Sequence, residues 1–120
     1  MDTKLFDSER KVMEVLWEAD APLTAKEVAQ KLGETVGWNK NTTYTVIKKC
    51  IDKGAIQRRE PNFQCFPLIR REEVQTAAAV ELVDKVFGGS ASLLFASLLS
   101  GRQLPPEEVQ RLRALIDELE

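Results

Sequence analysis

The chain has 120 residues, 43% of them hydrophobic and 30% charged, with six glycines and five prolines, which excludes a disordered or collagen-like chain. The length suits one small domain with an accessory segment. A net charge of −2 argues by itself against a nucleic-acid partner, yet the charge is unevenly spread: residues 38–71 carry eight Lys/Arg against two acids, while 1–37 and 72–120 are both acidic. A basic centre between acidic ends suits a DNA-facing surface, although charge alone fits a solvated face equally well.

Cys50 and Cys65 lie outside any CxxC spacing and the chain has no histidine, so neither a zinc site nor a disulfide framework has support; both read as small buried residues. No metal and no cofactor are expected. The apolar stretch Ala91 to Leu99 is about half the length of a bilayer span, and Met1 to Lys4 lacks the start of a secretory signal. The sequence therefore predicts a cytoplasmic protein without a membrane partner.

In chain order, Phe6-Asp7-Ser8-Glu9 opens a helix that runs to about Glu18, with Val12, Met13, Val15 and Leu16 as its apolar stripe. Asp20-Ala21-Pro22 ends it. Thr24 and Glu27 form a capping box for a second helix of about two turns that buries Val28, Ala29 and Leu32, with Gly33 in the left-handed position after it. Asn39 caps a third helix that runs to Lys53 and stops at Gly54. A strand from Ala55 to Arg59, a turn at Glu60-Pro61-Asn62 and a strand from Phe63 to Leu68 make a hairpin. Pro67 lacks an amide donor, which places its strand at a sheet edge or ends the strand there. Three helices and a hairpin in this order are a winged helix-turn-helix, spanning residues 1–70.

Residues 71–120 read as helix throughout: Glu72 to Phe87 closed by Gly88-Gly89, a short helix capped by Ser90 and closed by Gly101, and a last helix opened by Pro105-Pro106-Glu107-Glu108. Three amphipathic helices in about 50 residues cannot hide their apolar faces from water alone. A second copy of the chain would cover them, which makes Val83, Phe87, Leu94, Phe95, Leu98, Leu112, Leu115, Ile116 and Leu119 the candidate dimerisation residues. The fold class is thus mainly α with a small β-hairpin: a winged helix-turn-helix domain followed by a three-helix dimerisation segment.

The third helix carries the chemistry. Thr43, Val46, Ile47, Cys50 and Ile51 share one side, which is core; Asn41, Tyr44, Thr45 and Lys48 share the other, flanked by Lys40, Thr42 and Lys49. An ordinary solvated face would mix Glu with Lys. Asn can bond bidentately to adenine, a Thr methyl packs on thymine, and Tyr or Lys can take a phosphate oxygen. Threonines that merely bond back to their own helix are the competing reading for any one of these positions. Lys53, Arg58 and Arg59 fall where a wing meets the sugar-phosphate backbone, and Trp38 reads as a core or docking residue.

The runs Trp38-Asn39-Lys40-Asn41-Thr42-Thr43-Tyr44-Thr45-Val46-Ile47 and Lys53-Gly54-Ala55-Ile56 closely resemble the penicillinase-repressor family, which includes the beta-lactamase, methicillin-resistance and copper-transport repressors. Val12 to Trp17 and Val86-Phe87-Gly88-Gly89 carry the resemblance across nearly the whole chain. It implies a homodimer with intertwined carboxy-terminal helices whose third helices enter successive major grooves of an inverted repeat in double-stranded DNA, with TACA and TGTA half-site cores. It also implies relief of repression by a regulatory protease cutting in the short carboxy-terminal helix, or by metal at a cysteine cluster in the tail. This chain has Ala96-Ser97 at the aligned bond, no cysteine in its tail, and Tyr44 where methicillin repressors have Arg.

A winged module that meets another protein instead of DNA is the alternative reading, supported by the acidic total charge. A thiol sensor at Cys50 or Cys65 is a third. No glycine-rich phosphate loop or nucleophile beside a base is present, and the Glu72-Glu73 and Glu107-Glu108 pairs open helices, so an enzyme is not expected.

Overall fold

Residues 4–119 are described by the computed structural model; Met1 to Thr3 and Glu120, parts of the amino-terminal stretch and the tail considered above, lie outside the described residues. The helix starts follow the capping chemistry. α1 (Asp7–Glu18) begins where the Glu9 carboxylate accepts from the Phe6 amide at 2.8 Å. α2 (Ala25–Val36) begins at a reciprocal box in which Thr24 Oγ1 accepts from the Glu27 amide at 3.1 Å and Glu27 accepts from the Thr24 amide at 2.9 Å. That backbone hydrogen bond holds the Glu27 carboxyl below the usual carboxylate range. α3 (Lys40–Asp52) begins at Asn39, whose Oδ1 accepts from the Thr42 amide at 2.8 Å, and is followed by Gly54 at a φ of 81°.

The end of α2 differs from the sequence reading. The helix runs through Gly33 to Val36, and Gly37, at a φ of 75°, takes the left-handed position instead. The physical reason is packing: Leu32 stays on the buried face while Trp38 closes back, its amide bonding to the Leu32 carbonyl at 3.4 Å.

β2 (Ile56–Arg59) and β3 (Gln64–Pro67) form the expected hairpin, and β1 (Leu23–Thr24), a strand too short to signal itself in sequence, pairs with the outer side of β3. The sheet order is β1-β3-β2, so β3 is the central strand and not an edge. Pro67 is tolerated because it is the last residue of the strand, opposite Ile56. Val12, Met13, Leu16, Ala25, Val28, Leu32, Val46, Ile47, Cys50, Ala55, Ile56, Cys65 and Ile69 make one buried core beneath these elements. Trp17 Nε1 donates to the Ile69 carbonyl at 3.0 Å, tying α1 to the chain as it leaves the sheet.

The chain divides into two compact units, Met1–Ala78 and Ala79–Glu120, with the division inside α4 (Arg71–Val86). The second unit holds the rest of α4, α5 (Ala91–Ser100), capped by Ser90 Oγ accepting from the Leu93 amide at 3.1 Å, and α6 (Pro106–Glu118). None of these three helices has a buried residue, whereas every helix of the winged unit has several. Among the described residues no single helix is long and apolar enough to cross a membrane.

Candidate nucleic-acid interface

α3 is amphipathic in the sense the sequence predicts. Thr43, Val46, Ile47 and Cys50 are buried, while Lys40, Asn41, Thr42, Thr45, Lys48 and Lys49 are exposed. Tyr44 departs from the exposed stripe: it is half-buried, its ring 6.0 Å from that of Phe63, with Lys40 Nζ 5.5 Å from its centroid. The Thr45 hydroxyl donates to the Asn41 carbonyl at 2.9 Å, so this side chain does bond back to its helix. Its methyl is what remains to offer a groove.

The basic centre separates into two groups once partners are assigned. Lys53 lies near the end of α3, where its ammonium reaches Glu9 Oε1 at 2.7 Å and the Lys4 carbonyl at 3.0 Å and lies over the Phe6 ring. It is not part of a wing contact, contrary to its position in sequence, because the buried Glu9 carboxylate draws it inward. Arg71 pairs with Glu14 and Glu18 of α1, and Arg70 with Glu73. By contrast, Lys40, Lys48, Lys49 and Arg59 have no carboxylate partner among the described residues. Within residues 38–71, the cations without a carboxylate partner among the described residues are those of the exposed α3 face and one of the wing.

The two wing arginines, adjacent in sequence, do not act together. Successive strand residues face opposite sides; Arg58 is opposite Cys65 in the register and Arg59 is opposite Gln64. Arg58 stacks on Phe63, its guanidinium carbon 3.7 Å from the ring centroid, and its Nε donates to Glu60 Oε2 at 2.6 Å. Glu60 is held below the usual carboxylate range by that hydrogen bond and then by one from the Phe63 amide. Arg59 lies over Phe66 at 4.0 Å and donates to Gln57. Sequence reading did not single out Phe63 or Glu60. The only cue was an aromatic residue placed immediately after a turn.

Cys50 and Cys65 are buried, and desolvation pushes their thiols up to about 12 and about 11, which disfavours the thiolate a sensor would need. Among the described residues no cluster of His, Cys, Asp or Glu could hold a metal ion.

A model of the penicillinase repressor family matches residues 5–118. The chain belongs to the penicillinase repressor family. It is 23% identical over 122 residues to the methicillin resistance regulatory protein MecI of Staphylococcus aureus, covering 98% of each chain, and 24% identical to the penicillinase repressor of Bacillus licheniformis, covering 96% of this chain and 91% of that one. Among solved structures it is similar to the DNA binding domain of the repressor BlaI, with a TM-score of 0.54 and 27% identity over 59% of this chain and 88% of that one. The penicillinase repressors are transcriptional regulators and not enzymes. The winged-helix fold of this family member is the fold of that DNA binding domain.

In this repressor-family chain, Ala96 and Ser97 lie exposed within α5. The nine residues expected at a dimer contact all lack burial: Val83, Phe87, Leu94, Leu98 and Leu112 are half-covered, Phe95 is exposed, and Leu115, Ile116 and Leu119 are more than half exposed.

Proposed function

We propose that this DNA-binding transcriptional repressor acts as a homodimer, laying α3 of each copy in the major groove of one half of an inverted repeat with TACA and TGTA-like cores. The observation that carries this reading is the set of cations without a carboxylate partner among the described residues, Lys40, Lys48 and Lys49, on the same exposed face of α3 as Asn41 and the Thr45 methyl, a face whose one acid, Asp52, lies at its carboxy-terminal end. Asn41 is the base-reading residue, bidentate to an adenine; Thr45 packs on a thymine methyl; the lysines and Arg59 take phosphates. The exposed apolar residues of α5 and α6 support pairing with a second copy, which would take them out of water.

A gel mobility-shift titration at about 100 mM salt, comparing an inverted-repeat duplex with a scrambled duplex of equal length, tests the reading. Preference of about a thousandfold for the repeat is expected. Equal affinity for the two duplexes would remove the base-reading role, and no shift at all would favour a winged module that contacts protein. Repeated over a range of salt concentrations, the same assay with Lys48→Ala is expected to lower the slope of log affinity against log salt by about one per half-site.

A further inference from the structure

Phe63 has an unusual backbone, unexplained by the role of α3 alone. It sits at a φ of 52°, in the left-handed region that a large aromatic residue rarely adopts, next to Asn62 at 69°. Three contacts fix it there. Its amide donates to Glu60 Oε1 at 3.3 Å, and its carbonyl accepts from the Ala25 amide at 2.9 Å, at the first residue of α2. Its ring lies between Tyr44 of α3 and the Arg58 guanidinium of the wing. The outcome is a run of ring and cation contacts, Lys40 to Tyr44, Tyr44 to Phe63 with the two rings tilted by 56°, and Phe63 to Arg58, that leads from the start of α3 into the hairpin. Glu60 holds Arg58 as well, with a carboxylate where a phosphate oxygen could bond.

We propose that Phe63 is a positioning residue for DNA binding: its ring, held between Tyr44 and Arg58, fixes the wing arginine relative to α3, so that helix and wing engage one duplex as a unit and a phosphate takes the place of Glu60 on the guanidinium. The inference rests on the DNA-binding reading above. It assigns Arg58 a role distinct from that of Arg59, which lies on the other face of the wing. A planar guanidinium can stack on the ring and bond a phosphate in a fixed direction; an ammonium cannot do both.

The test measures affinity and salt slope on the inverted-repeat duplex for the full chain and for Phe63→Leu, Phe63→Trp and Arg58→Lys, with thermal melting of each. Phe63→Leu is expected to lose about tenfold in affinity and about one unit of salt slope per half-site, and Phe63→Trp to restore both. Arg58→Lys, a surface change that leaves the fold intact, is expected to lose about fivefold although the charge is kept. Arg58→Lys binding with the affinity of the parent chain overturns the proposal, even if Phe63→Leu fails to fold, because charge without stacking would then suffice. Unchanged binding by a folded Phe63→Leu overturns it too. If the parent chain binds neither repeat nor scrambled duplex, the DNA-binding reading itself has failed, and the proposal falls with it.

Discussion

Thr43 is fully buried on the core side of α3, and its hydroxyl finds no hydrogen-bond partner among the described residues. An unsatisfied buried hydroxyl costs about 1 to 3 kcal/mol, and Val has nearly the same shape. Thr43→Val is therefore expected to raise stability by about 1 kcal/mol in urea unfolding, without changing the exposed face of α3. The Glu9 and Lys53 pair predicts the opposite sign. Glu9 is almost wholly buried, so Lys53→Met would leave a buried carboxylate without its cation and is expected to destabilise the fold by about 3 kcal/mol. The cysteines give a pH dependence. Burial raises both thiols, so the unfolded chain releases their protons near pH 9 while the folded chain retains them, and stability is expected to decline as pH rises above about 9. Reaction with an aromatic disulfide reagent should accordingly be slow until the protein unfolds. At this scale the sequence told core from surface well along α3, because a 3.6-residue period exposes that choice. It could not tell Lys53 from Arg58 or Arg59, since the partner of Lys53 lies 44 positions earlier on another helix.

The elements themselves were legible wherever a side chain caps a helix. Thr24 with Glu27, Asn39 and Ser90 all act where they stand in sequence, and each satisfies amides that the first turn leaves without partners. The misreading at Gly33 has a cause of the same kind: two glycines, Gly33 and Gly37, compete for the helix end, and only the placement of Trp38 decides between them. A paired substitution tests this. Gly33→Ala lies within the helix, where an added methyl would be 3.5 Å from the Trp38 carbonyl, an ordinary contact, and is expected to stabilise by about 0.5 to 1 kcal/mol. Gly37→Ala forces a side chain into the left-handed region and is expected to destabilise by about 1 kcal/mol. Thermal unfolding of the two variants should therefore move in opposite directions. β1 escaped sequence reading because two residues carry no period; its pairing with β3 is decided by the fold.

At the scale of the molecule, the two units differ in what holds them. The winged unit has a closed core, whereas α4, α5 and α6 have none, and an apolar groove of about 200 Å³ lined by Phe95, Leu99, Leu104, Val109, Leu112 and Ile116 opens between α5 and α6. A repressor that reads an inverted repeat needs two copies of α3, and the open apolar residues of the second unit are where the second copy would be recruited. Replacing Leu115 and Ile116 by Ser is then expected to shift the mass found by sedimentation from dimer to monomer while leaving the winged unit folded.

The most direct test of the central claim is a fluorescence-anisotropy titration of Asn41→Ala against the inverted-repeat duplex and the scrambled duplex, beside the parent chain. A loss of about 1 to 3 kcal/mol on the repeat per half-site read, with little change on the scrambled duplex, is the predicted result. An equal loss on both, or no loss on either, would contradict a base-reading role for the exposed face of α3.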